Sequence, residues 1–437
     1  MRNKIYISNV SARLAITTGK LRSGRTPMNR QVEKRMEVAT GQATRRGLAH
    51  SLLQWAAEEY PSDRARQILE IALRTGDARQ LQHVIDAGLA PLLYHATRDT
   101  LEVVPGAWRE VLKSAELTAR FTHGALRDAA NQVIDTCRDL GVPVTLLKGI
   151  SISEQYYPAQ HLRPMGDIDV LVSERDYPLV ESTLLSLGYT PMADFSMGEG
   201  EPHGAPLLDP RRHVWIEIHT ALFHKDARVH GNSLFGPANL ARRSVASTFH
   251  GRSVLRLADE LQLVYIASYW LRDLPRHRIN PTLLIPLVDA VYLLNASAQS
   301  LDWNGLLDSL DNEMAIASLY LLLAQVMRYG FEERISPILA RLAAGQGIVG
   351  AAELRIMNFL LDFCLVGGKQ FMGSFGARHP MIESTVVDTL LTSNPFARKL
   401  LSLPWNLLFP PSVEDRYTVG YHAGRIARLV RGKRARG

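Results

Sequence analysis

Between residues 142 and 257 the chain abandons the helical spacing that governs the rest of it, and that interruption limits the folds open to it. Upstream, over residues 48–140, apolar residues recur every three or four positions in "HSLLQWAAEEY", "RARQILEIALRT", "LQHVIDAGLAPLLYHA" and "WREVLKSAELTARFTHGALRDAANQVIDTCRDLG". That is the pattern of amphipathic helices, with Gly141 and Pro143 ending the last one. From Asp259 the same spacing returns, from "DELQLVYIASYWLRDL" through "AAELRIMNFLLDFCLVGG". Inside the interval, "VPVTLLKG" is a short apolar run that reads as a buried strand, with a helix following from Ser151. "DIDVLV" is a second strand, and Ser173, with Asp176 three residues on, caps the helix "RDYPLVESTLLSLG" that Gly188 closes. Beyond a Gly/Pro-rich loop at 197–210, "HVWIEIHTAL" and "SVLRL" complete the set. Strands and helices alternating in this way predict a small α/β module enclosed by helical segments on both sides.

The predicted boundaries place a basic N-terminal extension at 1–46 and a helical segment at 47–141. The module follows at 142–257, then a helical domain at 258–368 and a C-terminal extension with a basic tail at 369–437. The formal charge of +7 is unevenly spread. Residues 1–46 carry +9 and residues 423–437 carry +6, so the body between them is acidic, at −8. Clustered Lys/Arg at the two ends suits an anionic membrane surface or RNA, or a plain solvated end. No apolar run approaches the ~20 residues of a membrane span, and none has the apolar stretch of a signal peptide. Cys137 and Cys364 have no CxxC spacing, so neither a disulfide framework nor a cysteine zinc site is supported, and they read as two reduced, buried thiols. The reading is a cytoplasmic protein without a membrane span.

Residues i and i+2 of a strand share a face, so Asp167 and Asp169 project together while Ile168 faces the core. Two carboxylates so placed either cap an exposed strand start, pairing with Arg163, or hold divalent metal between them. In "HVWIEIHTAL", Val214, Ile216 and Ile218 occupy one face and His213, Trp215, Glu217 and His219 the other. If this strand neighbours "DIDVLV", Glu217 completes a three-carboxylate cluster. Lys148 and Gly149, at a strand end leading into a helix, suit a phosphate: the glycine permits close backbone approach, and a helix N-terminus attracts anions. Tyr156 and Tyr157 either stack a base or belong to the core. His213 and His219 lie too far apart along one strand to share a zinc ion. Asp259 reads as a helix-start acid, and Asp289, in an apolar helix, as one member of a buried pair with an arginine.

The stretch "LLKGISISEQYYPAQHLRPMGDIDVLV" followed by "VWIEIHTAL" resembles the uncharacterised bacterial nucleotidyltransferase family, a branch of the DNA polymerase β-like superfamily. The resemblance covers about residues 47–411, with its motifs concentrated between Lys148 and His219. It implies an α+β fold, a small mixed-sheet nucleotidyltransferase module embedded between an N-terminal helical segment and a C-terminal helical domain that walls the cleft. It implies Asp167, Asp169 and Glu217 as catalytic metal ligands and Lys148, Gly149, Ser151, Arg163 and His219 as nucleotide contacts. Gly149 is followed by Ile150, where the superfamily usually carries Gly-Ser or Gly-Gly, so the phosphate contacts depart from the common pattern.

The implied activity is Mg²⁺-dependent (or Mn²⁺-dependent) transfer of a nucleoside monophosphate from an NTP, ATP foremost, to a hydroxyl acceptor with release of pyrophosphate. The acceptor is read as a small molecule, peptide or protein rather than nucleic acid. The alternative is a catalytically silent scaffold of the same fold that binds a nucleotide or a partner; a third is an RNA-binding factor acting through the basic ends.

Overall fold

The computed structural model describes residues 47–408, apart from 59–60, 76, 194, 196–199, 226, 232, 275–278, 298, 346 and 369–381. The described part belongs to one compact unit, residues 39–437. Both basic ends, 1–46 and 423–437, lie outside the described residues. The fold is mixed α+β, with one seven-stranded sheet and helices before and after it.

Among the described residues five α-helices precede the sheet: α1 (Leu48–Ala56), α2 (Asp63–Thr75), α3 (Ala78–Asp86), α4 (Ala90–Thr97) and the 34-residue α5 (Gly106–Asp139). The end of α5 follows from sequence. Gly141 adopts φ 69°, the left-handed conformation open to glycine, and the amides of Gly141 and Val142 return to the carbonyls of Arg138 and Cys137. The chain then enters β1 (Thr145–Leu146), α6 (Lys148–Tyr156) and β2 (Asp167–Leu171). Next come α7 (Tyr177–Ser186), the short β3 (Thr190–Pro191) and β4 (Leu207–Leu208), and β5 (Trp215–His219). A short α8 (Pro237–Arg242) leads to the hairpin β6 (Ser244–Phe249) and β7 (Arg252–Leu257). The expected helix at 151 begins three residues earlier. Sequence periodicity missed β3, β4 and β6, the first two because two residues show no alternation.

The sheet runs β3-β4-β5-β2-β1-β7-β6. β2 and β5 are parallel neighbours, with Asp167 opposite Trp215, Asp169 opposite Glu217 and Leu171 opposite His219. This settles the condition on which the site reading depended. The two sheet faces differ in kind. Ile168, Val170, Ile216, Ile218 and Val254 pack against Ala130, Val133 and Cys137 of α5 and Val180 and Leu184 of α7 in one apolar cluster. The opposite face carries the acids.

Over that second face lies the C-terminal helical part, beginning with α9 (Asp259–Asp273), in which every residue from Leu261 to Leu271 is buried. A helix buried on all sides is central, and α10 (Ile285–Ala296) and α12 (Glu313–Val326), both rich in leucine and alanine, share its core; the short α11 (Trp303–Asp308) links them. α13 (Glu332–Gly345), α14 (Ala351–Leu360), α15 (Ile382–Leu390) and α16 (Phe396–Leu408) follow. No helix among the described residues is long and apolar enough to cross a membrane.

Candidate functional site

Alternation in β2 and β5 aims Asp167 and Asp169, and beside them Glu217 and His219, to one face of the sheet. Asp169 is 3 % exposed, and its Oδ1 receives two donors: the Lys148 ammonium at 2.5 Å and His219 Nε2 at 2.8 Å. Glu217 Oε2 stands 3.6 Å from the same His219 nitrogen. One ligand atom each from Asp169, Glu217 and His219 lies within 4.8 Å of the others. The tightest group is therefore two carboxylates and an imidazole. Asp167, half-buried on the same face one pair upstream, stands outside it, yet its charge helps to raise the Lys148 ammonium.

Electrostatics keep this cluster charged. Burial alone would raise the Asp169 carboxyl, but Lys148 and the His219 hydrogen bond outweigh it and hold Asp169 below the usual carboxylate range. Glu217 behaves alike: burial raises it, and His219, Lys148 and the neighbouring His203 bring it down overall. For Lys148, burial opposes the charge and Asp169 restores it, so the ammonium is more basic than normal. Burial and Lys148 work against a charged His219, while Asp169 and Glu217 together raise it.

Lys148 owes its position to an uncommon backbone. At the junction of β1 and α6 it adopts φ 42°, left-handed geometry that costs a non-glycine residue about 1–3 kcal/mol. The next residue must be small. A Cβ on Gly149 would stand 2.7 Å from Arg163 Nη1 and 3.2 Å from Met165 Cβ. Glycine there lets the first turn of α6 settle directly on Arg163.

Two residues expected at phosphate are engaged elsewhere. Arg163 reaches neither Asp167 nor Asp169 but forms a two-pronged pair with Asp289 of α10, Nε to Oδ1 at 2.8 Å and Nη2 to Oδ2 at 2.7 Å. Tyr157 and Tyr269 donate to the same carboxylate at 2.8 and 3.2 Å, which accounts for Asp289 as a buried pair and for Tyr157 as core. Ser151 is fully buried. Its hydroxyl accepts from Gln155 at 2.9 Å, and its carbonyl accepts from the buried Arg256 at 2.8 Å. Tyr156 donates to Asp259 at the start of α9 at 2.6 Å. His213, exposed before β5, takes no part.

Sequence reasoning missed His203 and Tyr265. His203 sits in the loop before β4 and is drawn to the site by an isolated antiparallel bridge to His219, with their rings 5.0 Å apart. A lone histidine in a Gly/Pro-rich loop carries no periodic signal that would mark it. Tyr265 of α9, 1 % exposed, has a hydroxyl without a hydrogen-bond partner among the described residues, as does Nδ1 of His219. Burial pushes the Tyr265 phenol up to about 12, with the charges of Lys148, Asp169 and Glu217 all felt there. Unpartnered polar atoms beside two carboxylates, two imidazoles and an ammonium suit a polar ligand or cation. The oxygen and nitrogen donors fit a divalent ion.

A family model described as uncharacterised nucleotidyltransferase matches residues 75–329, a span that holds all of these side chains. No curated protein matches the chain.

Proposed function

The chain belongs to the uncharacterised nucleotidyltransferase family, and from that premise we propose that it moves a nucleoside monophosphate from an NTP to a hydroxyl acceptor, releasing pyrophosphate. The observation that carries the reading is the convergence of Asp169, Glu217 and His219 beside Lys148, at the mouth of α6 and on the polar face of the sheet. Asp167, Asp169 and Glu217 are the residues we assign to two divalent ions, Mg²⁺ or Mn²⁺. Bound there, such ions would neutralise the triphosphate and polarise the α-phosphate. We take residues 142–257 as the catalytic module and 258–368 as the wall over it.

The chain's own groups have separable tasks. The first amides of α6 bind phosphate oxygens, on a turn that Gly149 lets settle against Arg163. Lys148 adds a point charge to the same phosphates, exchanging its contact with Asp169 for one with the nucleotide. Glu217, ionised, accepts the proton of the acceptor hydroxyl as that oxygen bonds to the α-phosphorus and the bridge to the β-phosphate breaks. His219 orients Glu217 and Asp169 from one nitrogen. α9 covers the sheet and excludes water. Most of the acceleration on this account is positioning and charge stabilisation.

Titration calorimetry of the full chain with each non-hydrolysable NTP, ATP analogue first, with and without Mg²⁺ or Mn²⁺, tests the reading. We expect ion-dependent binding that disappears in the double variant Asp167→Asn/Asp169→Asn while its circular dichroism stays that of the wild type. Equal binding by the double variant would overturn the assignment.

A further inference from the structure

The imidazoles of His203 and His219 both turn Nε2 toward one oxygen of Glu217, at 3.9 and 3.6 Å. His203 Nδ1 lies 2.8 Å from the carbonyl oxygen of Gly204, which can only accept, so Nδ1 carries the proton. Nε2 is then a bare lone pair, and it faces Glu217 Oε2 at 3.9 Å. Two acceptors facing each other at that distance share no proton. A histidine fixed by an Nδ1 bond to a backbone carbonyl, with Nε2 presented inward, is the arrangement in which metal-binding histidines are ordinarily held.

His219 Nε2, 3.6 Å from the same Glu217 oxygen, is a donor to Asp169 Oδ1 at 2.8 Å; an ion bound there would replace that proton. Ligand atoms about 2.1 Å from one ion at right or tetrahedral angles stand about 3.0–3.4 Å apart. The observed separations of 3.6 and 3.9 Å to Glu217 are longer than this, and His203 Nε2 stands outside the group of Asp169, Glu217 and His219 atoms that lie within 4.8 Å of one another, so binding would draw the His203 loop inward. Loop and strand are tied together here by the bridge between His203 and His219 and by the amide of Thr220 on the carbonyl of Pro202 at 2.8 Å. The neighbouring Tyr265 hydroxyl, buried and unpartnered, is a further polar group in the same place.

We propose that Asp169, Glu217, His219 and His203 form a mixed nitrogen–oxygen site for one first-row transition divalent ion, so that the site prefers such an ion to Mg²⁺. The proposal rests on the metal-dependent reading above and adds to it the imidazole ligands and the selectivity. Mg²⁺ seeks oxygen donors and retains its waters, whereas imidazole favours the transition ions.

The full-length protein loaded with Mn²⁺ alone, without nucleotide, tests this by pulsed electron paramagnetic resonance. We expect nitrogen-14 modulation from directly bound imidazole. It should weaken in His203→Gln and vanish in the double variant His203→Gln/His219→Gln, with Mn²⁺ affinity falling about tenfold or more in the double variant. Mg²⁺ affinity, read by competition, should change far less. Circular dichroism melts verify that both variants fold. Bound Mn²⁺ without nitrogen modulation, or with unchanged affinity in the folded double variant, would overturn the imidazole site and leave the proposed function standing. Absence of any Mn²⁺ or Mg²⁺ binding to the wild type, with or without a non-hydrolysable NTP, would overturn both.

Discussion

Asp169 and Asp289 are both buried and both face a cation, yet they are held in opposite ways. Asp289 is closed: Arg163 meets both oxygens, and Tyr157 and Tyr269 take a further lone pair on each. Asp169 is open. One oxygen holds Lys148 and His219, Lys148 remains 24 % exposed, and unpartnered polar atoms of His219 and Tyr265 lie alongside. A buried charge with every bond made acts as a fastener, here joining the turn before β2 to α10. A buried charge whose surroundings are left incomplete is arranged for something else to complete it.

The sharpest break of this comparison is a pair of substitutions. Asp289→Asn strands the Arg163 guanidinium in the core, and chemical denaturation should register a loss of about 3–5 kcal/mol. Asp169→Asn leaves Lys148, 24 % exposed, able to turn toward water, so its stability loss should be clearly smaller than that of Asp289→Asn while ion-dependent nucleotide binding is lost. If the two variants lose equal stability, the distinction between fastener and site fails.

A third carboxylate tests the closed class. Asp209, 1 % exposed, accepts the amides of Arg211 and Arg212 at 2.8 and 3.2 Å and pairs with Arg212 at 2.7 Å. Burial raises its carboxyl, and Arg212 and the amides outweigh burial, so it lies below the usual range. A depressed carboxyl contributes stability above its unfolded pKa of about 3.9 and loses it as pH falls through the folded value. Asp209→Asn should cost about 1–2 kcal/mol at pH 7 and flatten the acid limb of a stability–pH curve. An unchanged acid limb would show that Arg212 and the two amides do not hold Asp209 below the usual range.

The smallest effect compares two tyrosines on one helix. Tyr269→Phe removes a donor from Asp289 and should cost about 1 kcal/mol. Tyr265→Phe removes a hydroxyl with no hydrogen-bond partner among the described residues, so thermal melting should show no loss or a slight gain. A loss as large as that of Tyr269→Phe would show that Tyr265 is a fastener too.

The strands bearing "DIDVLV" and "WIEIH" were legible because period-two alternation places acid beside acid only if the strands are neighbours, and they are. The long α5 was legible from its three-and-four spacing and its Gly141 stop. His203 was not, since a loop residue is brought to a site by a tertiary bridge and leaves no trace in local pattern. The partner of Arg163 lies 126 residues away, on an element whose own periodicity says only that it is apolar. Side-chain type announced the chemistry; distance along the chain concealed which of those side chains were already committed to holding the fold.

The register of β2 against β5 gives the protein a parity. Asp169 sits across from Glu217, and the apolar residues fall between them on the reverse face. A single residue added or removed within Trp215–His219 would exchange odd for even, turning Glu217 and His219 into the oily layer and the isoleucines toward the polar ligands. Two residues added would preserve the alternation and shift only the pairing. Tolerance to insertion in this strand should therefore alternate with the count of residues inserted, whereas the loop that carries His203 is under no such arithmetic.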